Sequence, residues 1–211
     1  NKLRLATCGV KECIEKAAEA IGWKEKKKRK IPNHGVGIAA GICYTGATGF
    51  YWGEKGRGDP ESAVIALSED GTFNLLLAGS DMGQGYYTAM LQIAAEELGV
   101  PYENVRIVSG DTDATSLGIG AYADRQTFIC GNAVRLAAID AKREMMKVVA
   151  DKLEVSPDDL VAEGERIFVK DDPERGMTVA EAARHCIVDR GTPIVGKGVY
   201  NPDSTLFDIA T

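Results

Sequence analysis

The chain has 211 residues, 45% hydrophobic and 27% charged, with a formal net charge of −6. That balance suits a globular protein with a real core, and it argues against a general nucleic-acid-binding surface, which carries a basic excess. No apolar run approaches the roughly 18 residues that a membrane-spanning helix needs, and nothing at the N-terminus reads as a signal peptide. Five cysteines (Cys8, Cys13, Cys43, Cys130, Cys186) are scattered without a Cys-x-x-Cys pair, and only two histidines, His34 and His185, occur. Zinc or iron–sulfur ligation by this chain is therefore disfavoured, and reduced thiols in a cytoplasmic compartment are the expectation. The start at Asn1 and the loop-like close at Thr211 read as a piece of a longer polypeptide.

Residues 10–21 place Val10, Cys13, Ile14, Ala17, Ala18 and Ile21 at helical spacing, with Gly22 as the stop. The stretch 24–30, with six basic residues in seven positions, reads as a solvated linker. The glycine-rich apolar run 35–42 predicts a buried strand. Two further strands, 63–68 and 73–77, flank Glu69-Asp70-Gly71, and Asp-Gly at so short a connection signals a hairpin. A helix over 86–98 ends at Gly99, with Pro101 barring continuation. A short strand over 105–108, a loop to Gly120 and a long helix over about 126–153 follow. Beyond Ser156-Pro157 the elements shorten: a strand at 167–169, a helix to about 189 opened by a capping box from Thr178 to Glu181, and a last strand over 194–200. The order predicts an α/β two-layer sandwich, divided as a helical lead-in with basic linker (1–34), a principal α/β domain (35–153) and a smaller α/β segment (154–211).

Two constellations could carry chemistry. Gly79-Ser80-Asp81-Met82-Gly83-Gln84-Gly85, with Thr88 just beyond, joins an apolar strand to an amphipathic helix. Its glycines permit a sharp turn and close backbone approach. The free N–H groups of a helix start favour an anion there, and Gln84 offers an acceptor and a donor together. Asp111-Thr112-Asp113 and Gly118-Ile119-Gly120-Ala121-Tyr122 likewise lead to a helix start, where Asp124, Arg125, Gln126 and Thr127 cluster and Arg125 could grip a phosphate through two bonds. Two such loops suggest a large phosphorylated ligand held from both sides; glycines that only make turns are the plainer reading. Neither the dinucleotide fingerprint nor the P-loop pattern fits. Asp111 and Asp113 lack the later ligands of a calcium loop and read better as turn formers. Cys130 reads as a core residue and His185 as a surface or packing residue. A non-redox nucleotide- or phosphate-binding module and a structural interaction domain both remain open at this point.

Taken in order, the first loop with Thr88, then Gln92, Ala95-Glu96-x-Leu98-Gly99-Val100-Pro101, Gly110-Asp111-Thr112-Asp113, Gly120-Ala121-Tyr122-Ala123-Asp124-Arg125-x-Thr127 and Gly131-Asn132-Ala133 closely resemble one family. It is the molybdopterin-binding large subunit of the xanthine dehydrogenase and aldehyde oxidase group of molybdenum hydroxylases. The flanks (Cys13-Ile14-Glu15-Lys16, Gly22-Trp23, the basic stretch, Gly35-x-Gly37-Ile38-Ala39) look most like 4-hydroxybenzoyl-CoA reductase alpha subunits.

The resemblance covers about residues 7–151. It implies a molybdenum-cofactor-binding domain with a mixed sheet and helices on one face. It puts Gly83, Gln84, Gly85 and Thr88 on the pterin and pyrophosphate side of the cofactor, and Ala121, Tyr122, Ala123, Asp124, Arg125 and Thr127 over its other side. The metal would be held by the cofactor's own dithiolene and oxo or sulfido ligands, so no metal ligand is expected from this chain. The cofactor would be molybdopterin cytosine dinucleotide, with 2Fe–2S and FAD on partner subunits or domains, in a dimer of heterotrimers. The implied reaction is two-electron oxidation of an N-heterocycle or aldehyde, or reductive dehydroxylation of 4-hydroxybenzoyl-CoA. Asp124 stands where the family has Ser, and a carboxylate there repels a phosphate unless it is paired with Arg125 or turned toward an amide. The family's catalytic Glu falls outside these 211 residues, so no catalytic residue is assigned and the piece alone is expected to be inactive.

Overall fold

The computed structural model describes residues 8–41 and 60–202, which fall in two compact units, one containing residues up to Tyr44 and the other running from Thr45 to Ser204. In the first unit, α1 (Val10–Ala20) and α2 (Trp23–Lys28) are joined through Gly22 at φ +63°. The basic stretch expected to be a linker is thus largely helical: Lys28 lies 3.6 Å from Glu25, Lys27 stands over the Trp23 ring, and all of it faces solvent. The strand expected over 35–42 does not form within the described residues. Residues 35–41 are exposed and unpaired with any strand; glycine at three of the seven positions supplies no side chain to pack, and a strand needs a partner for its N–H groups. Ile42 lies outside the described residues.

The second unit is built on a mixed four-stranded sheet, with spatial order β3 (Val105–Ser109), β2 (Phe73–Leu77), β1 (Glu61–Leu67) and β7 (Val195–Tyr200). β1 pairs antiparallel with both β2 and β7, and β2 pairs parallel with β3, with Leu77 opposite Ser109. Alternation decides which face is inside. Ala63, Ile65 and Leu67 of β1 and Phe73, Leu75 and Leu77 of β2 point at one face and are buried, while Val64 between them is 37% exposed.

Two helices, α3 (Tyr86–Leu98) and α4 (Gly131–Leu153), cover that buried face. A π-helical turn over Gln126–Cys130 leads into α4. The alanines of α4 at positions 133, 137 and 141 allow it to lie directly on β7, where a Cβ at Gly198 would stand 2.1 Å from the Ala133 carbonyl oxygen. This is the mixed-sheet α/β sandwich with helices on one face that the sequence predicts. No helix among the described residues is long and apolar enough to cross a membrane.

Beyond α4 come β4 (Leu160–Glu163), β5 (Arg166–Val169) and β6 (Asp172–Thr178), an antiparallel sheet of which only β5 was foreseen. β6 carries Pro173, Glu174 and Arg175, the chemistry of an edge strand rather than of a buried one. The capping box is present as expected, with Thr178 accepting from the Glu181 N–H at 3.1 Å and Glu181 accepting from the Thr178 N–H at 2.7 Å. It opens α5 (Val179–Arg184), which runs on as a π-helical turn over His185–Asp189. Leu160, Ile167, Val179 and Ala183 join the same core as the large sheet, and β7 returns the chain to it.

Cys130 is 1% exposed in this core. Burial, helped by the nearby Glu61 carboxylate, pushes its thiol up to about 12. Alkylation at about pH 8, read by peptide mapping, is expected to modify the exposed Cys8 and Cys13 at least roughly a hundredfold faster than Cys130, which should react only on unfolding. Equal rates in the native protein would show the core open at this point.

Candidate functional site

The parallel pair fixes where the loops meet. β2 and β3 end side by side at Leu77 and Ser109, so the chains leaving them emerge at one edge, the end of a parallel pair where α/β sheets bind ligands. From β2, residues 78–85 run to α3. From β3, residues 110–125 run to the π-helical turn before α4. A pocket of about 440 Å³ lies between them, lined by Gly79, Ser80, Thr112, Thr115, Ser116 and Gly118 among others.

The first loop is anchored from below. Buried Tyr86 donates its hydroxyl to the Ala78 carbonyl at 2.7 Å, and Ser109 donates to the Gly79 carbonyl at 3.0 Å. Above these anchors the loop folds on its own side chains. Asp81 accepts from the Gly83 N–H at 2.6 Å and, through its other oxygen, from the Tyr87 N–H at 3.4 Å. The sequence leaves that helix start open for a ligand anion. In the structure the Asp81 carboxylate occupies it, and those N–H donors, Gly83 first, hold its pKa below the usual aspartate value.

Gln84 accepts from the Met82 N–H at 2.6 Å, and its Nε2 lies 3.3 Å from the Ser80 carbonyl and 3.2 Å from the Gln126 amide. The two loops therefore touch through a pair of amides. Gly83 and Gly85 have φ +103° and +75°, and nothing stands within 4 Å of where a Cβ would be on either. Both peptide faces are accessible to a flat ligand. Thr88 lies exposed on the first turn of α3.

The second loop begins with a turn of its own: Asp111 accepts from the Asp113 N–H at 2.9 Å, as a turn former does. No group of three or more His, Cys, Asp or Glu side chains among the described residues is placed to hold a metal ion. Gly118 packs against Ala78, and Ser116 shares a 2.6 Å hydrogen bond with Ser62 of β1. Further on, Arg125 donates its backbone N–H to the Tyr122 carbonyl at 3.1 Å across Ala123 and Asp124, whose φ values are +49° and +55°. Two consecutive left-handed residues closed by that bond have the form of a type I′ turn. The left-handed region costs about 1–2 kcal/mol for a residue such as alanine, so this turn is held by its surroundings.

The Arg125 side chain is the main departure from the sequence reading. It is fully buried, with Nη1 2.5 Å from Glu61 Oε1 and 3.0 Å from the Gly120 carbonyl, and its guanidinium lies 5.5 Å from the Tyr122 ring centre. The expectation of a two-bond grip on a phosphate does not fit that placement: the guanidinium faces a carboxylate inside the protein. Ala121, Tyr122 and Ala123 are half-buried, and Asp124 and Thr127 are exposed.

Glu61 and Tyr86 escaped the sequence reading of the site. Glu61 was legible in principle, because it shares the inward parity of Ala63 and Ile65 on a strand where a carboxylate is out of place.

Residues 16–209 match the family described as the molybdopterin cofactor-binding domain. A putative xanthine dehydrogenase molybdenum-binding subunit of Escherichia coli is 33% identical over 183 residues, covering 82% of this chain and 23% of that protein. The carbon monoxide dehydrogenase large chain of Hydrogenophaga pseudoflava is 35% identical over 128 residues, covering 61% of this chain and 16% of the other. Among solved structures, quinoline 2-oxidoreductase from Pseudomonas putida 86 superposes with a TM-score of 0.69 at 22% identity, over 96% of this chain and 27% of that one, a likeness of fold. The chain thus spans about a quarter of the length of such relatives or less. With the matched residues covering nearly all of it, the chain belongs to the molybdopterin cofactor-binding domain family.

Proposed function

We propose that this chain forms part of the cofactor cradle of a molybdenum-dependent oxidoreductase, with the loops 79–88 and 118–127 as two of its walls. The observation that carries this reading is the meeting of two glycine-bearing loops at the ends of β2 and β3. They are joined by the Gln84–Gln126 amide contact, and the peptide faces of Gly83, Gly85 and Gly120 have open space beside them. Those groups fit a flat heterocycle with amide-like edges. The donors nearby are backbone N–H groups, hydroxyls and amides, which suit an organic group that carries its own metal ligands.

When bound, that group supplies a metal centre for two-electron redox chemistry at carbon. The chain's own residues do the holding. Gln84 and Gln126 offer amide hydrogen bonds, Gly83 and Gly85 permit close approach, and Ala121 to Asp124 shape the opposite wall, with Thr88 and Thr127 as flanking hydroxyls. Arg125 serves this wall from beneath. The cytosine dinucleotide form of the cofactor and 2Fe–2S and FAD centres on partner subunits or domains, in a dimer of heterotrimers, complete the reading, with a cytoplasmic location. The substrate is an N-heterocycle or aldehyde that is oxidised, or 4-hydroxybenzoyl-CoA that is reductively dehydroxylated, the last favoured by the flanking motifs around Cys13 and Gly35.

The test is molybdenum content by elemental analysis of the full-length subunit expressed with its partners. Gln84→Ala removes the bond to the Met82 N–H, and a net hydrogen bond is worth about 0.5–1.5 kcal/mol. Retained cofactor is expected to fall by roughly threefold to tenfold under dilution. Metal content equal to that of the parent would remove Gln84 from the site.

A further inference from the structure

The buried carboxylate of Glu61 lies at the start of β1, outside every motif that marks the family in this sequence. It is 2% exposed, and its Oε1 receives two donors from the second loop region: the Ile119 N–H at 3.1 Å and Arg125 Nη1 at 2.5 Å. Arg125 in turn donates to the Gly120 carbonyl at 3.0 Å. One carboxylate therefore ties down both ends of the segment 119–125, which contains the left-handed pair Ala123–Asp124.

The other oxygen, Oε2, is buried without a hydrogen-bond partner among the described residues. A buried carboxylate only half satisfied is costly, and apolar residues of similar size would fill the same space at less cost. A pair built for stability alone would not look like this. What the pair does provide is geometry: it fixes the Ile119 N–H and the Gly120 carbonyl just ahead of the strained turn.

We infer that Glu61 is a positioning residue, acting through Arg125 and the Ile119 N–H to hold the second wall of the cofactor cradle in its ligand-ready shape. This rests on the reading of the two loops as that cradle. Glu61 itself touches no ligand in the proposed cradle. The left-handed turn at 123–124 would relax to ordinary backbone if its two ends were released, and the wall would then lose the shape facing Gln84.

Two variants of the full-length subunit, expressed with its partners, separate positioning from stability. Glu61→Gln keeps an acceptor for the Ile119 N–H and removes the charge. The double variant Glu61→Leu with Arg125→Met refills the volume with apolar groups and leaves the Ile119 N–H and the Gly120 carbonyl without their partners. Three quantities are read: molybdenum per subunit, the thermal midpoint, and hydrogen exchange of amides 118–125 in protein prepared without cofactor.

The double variant is expected to keep a thermal midpoint near the parent's, while exchange of 118–125 rises by roughly tenfold or more and molybdenum content falls severalfold. Glu61→Gln should fall between the two in exchange. A double variant with parental exchange and parental molybdenum overturns the inference, and so does one whose thermal midpoint falls together with its molybdenum, since general loss of structure then accounts for the result. If the parent subunit itself holds no molybdenum, the cradle reading fails, and the exchange arm still decides whether Glu61 fixes the segment.

Discussion

Gly198→Ala is expected to destabilise the second unit by about 3 kcal/mol or more. The added Cβ would stand 2.1 Å from the Ala133 carbonyl oxygen and 2.5 Å from the Ala137 nitrogen. Both are backbone atoms of α4, so no side chain can swing aside. Gly196 makes the same demand one step along β7, where its Cβ would lie 2.3 Å from the Ala137 oxygen. The helix must therefore retreat as a body, and in doing so it loosens Val134, Ala138 and Met145 from the core they share with β1 and β2. In urea, with a slope of roughly 1–3 kcal/mol per molar, the midpoint should drop by at least about 1 M. Gly35→Ala meets nothing within 4 Å and is the control, expected to stay within about 0.5 kcal/mol of the parent. A parental midpoint for Gly198→Ala would mean that α4 does not lie this close to β7.

Gly79→Ala is expected to strike both stability and the site. Gly79 has φ +129°, a conformation that side-chain-bearing residues rarely adopt, and a Cβ there would be 2.4 Å from the Tyr86 hydroxyl oxygen. Tyr86 would be pushed from the Ala78 carbonyl, leaving two buried polar groups without each other. Strain and the lost bond together amount to about 2–4 kcal/mol. Because Ala78 and Gly79 root the first loop, retained molybdenum should fall along with the urea midpoint. Tyr86→Phe separates the contributions: it loses the hydrogen bond alone and should destabilise by about 1–3 kcal/mol. Gly79→Ala no worse than Tyr86→Phe would show that the close approach at Gly79 costs nothing.

The large sheet was legible because its signals are local and redundant. Alternation on β1 and β2, Asp70-Gly71 at the hairpin, Gly99 after α3, and Thr178 with Glu181 each state their structure within a few residues. β4 and β6 were not legible, since four residues at Leu160–Glu163 and the charged, proline-bearing Asp172–Thr178 become strands only because β5 lies between them. The stretch 35–42 failed for the opposite reason, being apolar enough for a strand but without a strand beside it among the described residues.

At the site, composition showed which loops were special but not where their charges point. Arg125 looked outward on paper because arginines usually do. Its burial follows from Glu61, 64 positions earlier, a carboxylate at the inward parity of β1 that no local signal connects to Arg125. Asp81 was hidden among its glycines in the same way, since only the folded loop reveals that its carboxylate reaches the Gly83 and Tyr87 N–H groups.

Asp81 also changes what the first loop selects for. The start of α3 would ordinarily draw in negative charge, yet here the attraction is answered by a carboxylate that stays ionised because those same N–H groups stabilise it. The charge at this corner is closed before any visitor arrives. In the proposed cradle, a ligand crossing Gly83 and Gly85 is thus sorted by contour and by the pattern of its hydrogen-bonding edge, and its anionic end is turned away from the start of α3.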